Sequence, residues 1–292
     1  MFDETMLSQS DSGHSLAALL PLVICPKCRG DLLLQGAGLM CLNCLRAYEI
    51  VDGIPLLAET GSSELWGIVS EGQNSTAYQE HFLNSGAGEG YRHKYERRWR
   101  KRHATKREIS RIKILLASQP RSSLLLDIPC GGGRVSGPLV GATDLLLQAD
   151  LSLSQVREAR QKMGSQKNIA WFTASAFLIP LRDGSLDGIL CNRLTHHLPS
   201  AAEQERLIAE LLRVSRRFVI LSYYDHGSFK SLGRRLRGKQ PGHTTKREDL
   251  RARAQRHGAF VKIDVPLWFG GSRLRYALLQ KIHCSSASTT LT

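Results

Sequence analysis

The sequence predicts an α/β fold: a doubly wound sheet with helices on both faces, preceded by a small cysteine-built module. Three observations carry this. An apolar run of strand length, Leu124-Leu-Leu-Asp-Ile-Pro-Cys-Gly-Gly-Gly-Arg134, ends in an acid and three consecutive glycines. From there on, strand-length apolar segments alternate with helical ones, the pattern of a parallel sheet covered on both faces. Upstream, four of the seven cysteines stand as two C-x2-C pairs, Cys25/Cys28 and Cys41/Cys44.

The elements follow in order. Residues 1–20 are polar and Ser-rich and are expected to be disordered. Residues 21–58 form the cysteine module. Two C-x2-C turns presenting four thiolates make the closed tetrahedral site of structural zinc, and a segment this short needs a metal to fold. Ala47–Leu57 reads as a hairpin turning at Asp52-Gly53, with Pro55 on an edge. Residues 59–91 read as a linker, with a short helix at Tyr78–Leu83. Residues 92–117 are a long helix whose apolar side is Trp99, Ile109, Ile112, Leu115 and Leu116, ended by Gln119-Pro120.

Strands are then expected at 122–127, 144–150, 168–174, 185–191 and 217–224. Helices are expected at 134–141, 152–163, 200–214 and 247–257, and a last antiparallel pair at 259–265 and 275–282. This domain is assigned 92–283, with a flexible tail over 284–292.

Composition narrows the function. The net charge is +14 over 292 residues. It is concentrated in 92–113, with eleven Lys/Arg against two acids, and in 230–256, with ten against two. Such blocks suit RNA or an anionic membrane surface, or are solvated helix faces. No segment is apolar for the roughly 18 residues of a membrane span. Ala17–Cys25 is apolar, but Asp3, Glu4 and Asp11 precede it without any Lys or Arg, the wrong charge for a secretory signal. A cytoplasmic protein is expected.

Glycines at a strand end let the backbone turn sharply and approach a ligand, and the following helix aims its N–H groups there. Asp150 ends the second strand 23 residues after Asp127, near the spacing of about 20 at which a carboxylate binds ribose hydroxyls. Gly131-Gly-Gly133 lacks the G-x-G-x-x-G spacing of a dinucleotide site. An acid before the glycines repels pyrophosphate and welcomes a cationic ligand.

These residues resemble the class I S-adenosylmethionine-dependent methyltransferases, in particular the ubiquinone-methyltransferase-like (type 11) subgroup. Leu-Asp-Ile-Pro-Cys-Gly-Gly-Gly-Arg is similar to their first motif and Ala149-Asp-Leu-Ser152 to the ribose motif. Trp171–Asp187 resembles the third-strand stretch, and Leu194-Thr-His-His-Leu198 the turn after strand four. The resemblance implies a seven-stranded Rossmann-like sheet with its last strand antiparallel, and S-adenosylmethionine as cofactor. It implies cofactor contacts from Asp127, Pro129, Gly131, Gly133, Asp150, Leu151, Ser175, Ala176 and Asn192. Pro129 stands in place of the first glycine, Ser175 in place of an adenine-binding acid, and Ser215-Arg-Arg217 in place of a Pro-Gly-Gly turn.

Residues 22–58 resemble the zinc-ribbon proteins related to the methyltransferase-activator subunit. Methyl transfer is an in-line displacement needing placement and, for some acceptors, a base. The candidates lie after strands four and five: His196 as base, Tyr223 as acceptor contact, with Asn192, Arg193, His197 and Tyr224 nearby. Cys130 and Cys191 are expected to pack. The acceptor classes are a small molecule or lipid, or a base in rRNA or tRNA. A second class of reading is a cofactor-binding but non-catalytic or partner-activating protein.

Overall fold

The computed structural model describes residues 15–58, 99–164, 166, 168–198, 200–238, 243–268 and 272–282. The 59–91 linker with its Tyr78–Leu83 helix, the 92–98 start of the long helix and the 284–292 tail lie outside the described residues. Of the 1–20 stretch expected to be disordered, 1–14 lie outside them too, whereas 15–19 form a helix that buries Leu19 completely in the core, an apolar anchor the polar composition of the stretch concealed.

The described residues form two sheets. The small one runs β1 (Leu32–Gln35), β2 (Gly38–Cys41), β3 (Ala47–Val51) and β4 (Ile54–Pro55) in that spatial order. Asp52 and Gly53 both have positive φ, 52° and 74°, the geometry of a type I′ turn. Pro55 sits on the edge strand of this small sheet, where its missing N–H costs nothing in the ladder.

The large sheet holds β5 (Ser122–Asp127), β6 (Thr143–Asp150), β7 (Ile169–Thr173), β8 (Leu186–Cys191), β9 (Ser215–Tyr224), β10 (Ala259–Pro266) and β11 (Leu274–Lys281). Its order is β10-β11-β9-β8-β5-β6-β7. The pairings from β7 through β9 are parallel, and β11 is antiparallel to both its neighbours. The strand order reverses between the parallel neighbours β5 and β8, so the ligand crevice opens at their carboxyl ends.

Helices cover both faces. α1 (Trp99–Ala117), α2 (Gly137–Val140) and α3 (Leu153–Met163) contribute Ile112, Leu115, Leu139 and Val156 to one buried cluster. α4 (Ala201–Val214) and α6 (Arg247–Arg256) contribute Leu207, Leu211, Leu250 and Ala254 to the other. α4 opens on a capping box, with Ser200 and Glu203 exchanging side-chain and backbone bonds. Ser152 precedes α3 in extended geometry, but its hydroxyl faces Ser154 rather than an orphan N–H. α5 (Phe229–Leu236) is an element the sequence reading left inside a basic arm.

The small module packs directly on the large sheet. Leu56 bridges Thr173 of β7 in parallel, and the Ala58 N–H donates to Thr173 Oγ1 at 3.2 Å. Ile24 N–H donates to Pro180 O at 3.0 Å, and Arg157 pairs with Asp52 at 2.5 Å. β7 is the terminal strand of the large sheet, so the module covers an edge that would otherwise offer unpaired backbone groups. Its Leu19, Val23, Leu39 and Leu57 join the same cluster as α4.

Candidate active site

Strand β5 delivers Asp127 to the crevice floor, fully buried. The Ser136 hydroxyl donates to its Oδ2 at 2.5 Å, while Oδ1 is sealed and has no hydrogen-bond partner. Burial pushes the carboxyl up to about 7. The chain then turns through a cis Ile128–Pro129 bond, with Pro129 half-buried. Cys130 N–H donates to Ala149 O and ties the turn to β6. Gly131 and Gly133 take φ of 51° and 64°, where a Cβ is strained. A Cβ on Gly132 would meet the Glu158 carboxyl carbon at 2.7 Å. Asp127, Glu158 and, from the end of β6, Asp150 thus surround one glycine turn, which suits a cation and not a phosphate.

Asp150, at the end of β6, accepts Gly131 N–H at 2.9 Å on Oδ2 and Ser152 N–H at 3.0 Å on Oδ1. Each carboxylate oxygen has a second lone pair, so both can still accept a hydroxyl. Burial pushes this carboxyl up to about 6. Leu151 follows it, half-buried. Ala174 N–H donates to Asp150 O at 3.0 Å, which brings Ser175 and Ala176 beside the acid. Ser175 Oγ accepts Phe177 N–H at 3.2 Å. The carboxyl ends of β5, β6 and β7 therefore gather Asp127, Pro129, Gly131, Gly133, Asp150, Leu151, Ser175 and Ala176 into one crevice wall.

The other wall depends on a residue the sequence reading missed. Glu108, the one acid of α1, is fully buried. Its carboxylate pairs with Arg134 of the glycine turn at 2.7 Å and Arg193 after β8 at 2.5 Å. Burial alone would raise its pKa, yet the two guanidiniums hold it below the usual carboxylate range. Asn192 Nδ2 approaches the same carboxylate at 3.4 Å, and Tyr276 donates to Asn192 Oδ1 at 3.0 Å. Glu108 stands four and seven positions before Ile112 and Leu115, on the buried stripe. That spacing was the available signal.

Arg193 adopts φ 59°, and its N–H donates to Ser222 Oγ at 2.6 Å. The 3-10 turn Thr195–His197 then places His196 against Tyr224, ring centroids 4.2 Å apart and nearly parallel. His196 Nδ1 is sealed without a partner, and burial drives the imidazole pKa down to about 2; His197 falls to about 4 for the same reason. Both rings are neutral at pH 7. Tyr223 is buried in the core, its hydroxyl donating to Asp264 at 2.8 Å. Tyr224 is the one that faces outward. It lines a cleft of about 560 Å³ with Phe229, Lys230, Trp268, Arg273 and Leu274. The Arg273 guanidinium stacks over the Tyr224 ring at 4.4 Å. Cys130 and Cys191 are buried, and burial raises both thiols, as packing residues require.

In the small module the four sulfurs of Cys25, Cys28, Cys41 and Cys44 lie within 4.8 Å of one another. Two pairs are at 3.7 and 3.4 Å, against about 3.8 Å between ligands of a tetrahedral ion with Zn–S bonds of about 2.3 Å. The two knuckles repeat one geometry. Arg29 and Leu45 each take positive φ and donate to the carbonyl of the first cysteine of their knuckle. Without a metal the sulfurs compete: the Gly30 backbone N–H pulls the Cys28 thiol down to about 6, while, against the Arg46 backbone N–H, burial and the neighbouring cysteine sulfurs push Cys44 up to about 12. The donor set fits a structural zinc.

Residues 126–221 match the family described as a methyltransferase domain. No curated protein matches the chain in sequence. Among solved structures, magnesium protoporphyrin IX methyltransferase of Synechocystis PCC 6803 with bound SAH is 19% identical at a TM-score of 0.60, covering 71% of this chain and 99% of that one. The same enzyme with SAM gives 18% and 0.58, covering 73% and 99%. That likeness establishes the fold. Taken with the domain match, the chain is an S-adenosylmethionine-dependent methyltransferase.

Proposed function

We propose that this methyltransferase acts on a small amphiphilic acceptor that enters as an anion. The observation that carries this is the cleft beside His196. It joins the aromatic faces of Tyr224, Phe229 and Trp268 to the cationic Lys230 and Arg273. Aromatic walls take an apolar body, and the cations take a carboxylate, phenolate or phosphate. The solved relatives that bind SAM or SAH and are named for magnesium protoporphyrin IX support a small-molecule acceptor.

S-adenosylmethionine supplies a methyl group on a sulfonium, displaced in line by the acceptor. Asp150 would accept the ribose hydroxyls, Ser175 and Ala176 would edge the adenine, and Asp127 would set the negative potential of the turn. Asn192, held by Glu108 and Tyr276, would border the reacting end. His196 is neutral and poorly basic, so its part is to position Tyr224 and keep water out. The acceptor then arrives already ionised, favoured by Lys230 and Arg273. The His196-His197-Leu198 sequence supports membership of the ubiquinone-methyltransferase-like subgroup.

The module over 21–58 would hold one zinc through Cys25, Cys28, Cys41 and Cys44, and would serve the 92–283 domain by capping the β7 edge. The acceptor reading is tested by methyl transfer from labelled cofactor into fractionated cell extract. Label in the solvent-extractable organic fraction is expected. Label confined to RNA or protein would overturn it.

A further inference from the structure

Helix α5 is turned the wrong way round for an ordinary surface helix. A surface helix buries its apolar stripe and shows water its polar side. Here the buried positions are Ser228, just before the helix, and Ser231, which both bond to the carbonyl of Asp225. Phe229, Leu232 and Leu236, spaced to share one face, are 81%, 44% and 80% exposed. Cations crowd the same stretch. Residues 227–247 carry Lys230, Arg234, Arg235, Arg237, Lys239, Lys246 and Arg247 and no acid.

The surroundings extend this face. Trp268, across the cleft mouth from Phe229, is 48% exposed, with the Arg107 guanidinium 4.8 Å above its ring. Arg111 donates to the Leu267 carbonyl at 3.3 Å. The two basic blocks of the sequence thus converge on one rim. An apolar helix face bordered by lysines and arginines, with an interfacial tryptophan beside it, is the chemistry of a segment lying in the headgroup region of an anionic bilayer.

We propose that α5 and Trp268 dock the cleft mouth onto an anionic lipid surface, so that the acceptor is handed over from the membrane. The acceptor clause rests on the function proposed above; the docking itself does not. Phe229, Leu232 and Leu236 would enter the acyl boundary while the basic rim meets the headgroups.

The test is co-sedimentation of the full chain with vesicles of phosphatidylcholine alone or mixed with phosphatidylglycerol. Binding is expected to the mixed vesicles only, weakened about tenfold or more by raising salt to about 0.5 M. Leu232→Ser with Leu236→Ser should cut the partition about tenfold or more, and Arg237→Glu by several-fold, with S-adenosylmethionine affinity unchanged as the control for folding. Equal binding to both vesicle types, or unaltered binding by the variants, overturns the proposal. So does a wild-type dimer dissolved by the double leucine variant, which would give the face to a second copy, or an RNA affinity that alone responds. Docking that holds while label never enters an organic acceptor would sink the acceptor reading and leave this one standing.

Discussion

Glu108 and Arg193 meet at 2.5 Å across 85 residues of chain, joining the basic helix to the end of β8 beneath the crevice. The pair is completed by Arg134 from the glycine turn. Glu108→Gln should cost about 3–5 kcal/mol, because it strands two partly buried guanidiniums without their charge partner. Denaturant midpoints of Glu108→Gln, Arg193→Gln and the double variant would measure this. The double variant should be less destabilised than the sum by about 0.5–3 kcal/mol. Additive losses would mean that the two residues do not act as a pair.

Cofactor affinity should rise with pH. Asp150 and Asp127, raised by burial to about 6 and about 7, are largely protonated below those values. A cationic, hydroxyl-bearing ligand favours the ionised forms. Affinity should therefore climb from pH 5 to about 7.5, by up to about tenfold per pH unit for each carboxyl, and then level off. Calorimetry in buffers of different ionisation heat should find protons released on binding near pH 6.5. Proton uptake there would contradict the assignment.

Fold stability should move with acid in a defined window. His196 and His197 have native pKa values lowered to about 2 and about 4, against about 6.5 unfolded. The unfolded chain binds more protons, so stability is full above about 6.5 and falls as pH drops below it. The loss should be about 1 kcal/mol per ring at pH 5.5, after allowing for their partial exposure. His196→Gln should flatten the decline between pH 6.5 and 4.5; an unchanged slope would show the ring is not held neutral.

Removing metal should loosen the large sheet as well as the small one. The module covers β7 through Leu56 and Ala58. Chelation, or Cys41→Ser, should lower the melting temperature and promote association through the uncovered edge. Metal analysis should find about one zinc per chain in the purified protein. A metal-free chain that melts at the same temperature would refute the capping role.

The strands and the glycine turn were legible because their signals are local. Apolar runs of strand length end in acids at Asp127 and Asp150, and each begins and stops within two residues of its expected place. The two cysteine knuckles were legible for the same reason. What escaped was non-local. The basic composition of α1 masked Glu108, whose inward direction only the partners Arg134 and Arg193 explain. The adjacent pair Tyr223-Tyr224 offered two hydroxyls, and strand alternation alone does not say which face is the core. Asp264, on a strand 41 residues later, claims Tyr223. Helix α5 was hidden because its stretch read only as part of a basic block, whereas its serines face the protein and its apolar residues face outward. The docking of the small module on β7 likewise depends on pairings between distant segments.

We propose that the crevice at the ends of β5 and β6 binds S-adenosylmethionine through Asp150. Titration calorimetry of wild type and Asp150→Ala tests it most directly. Saturable one-to-one binding is predicted for wild type, weakened about tenfold to a hundredfold in the variant while its melting temperature still shows a cooperative fold. No saturable binding by wild type, or equal affinity in the variant, would contradict the account.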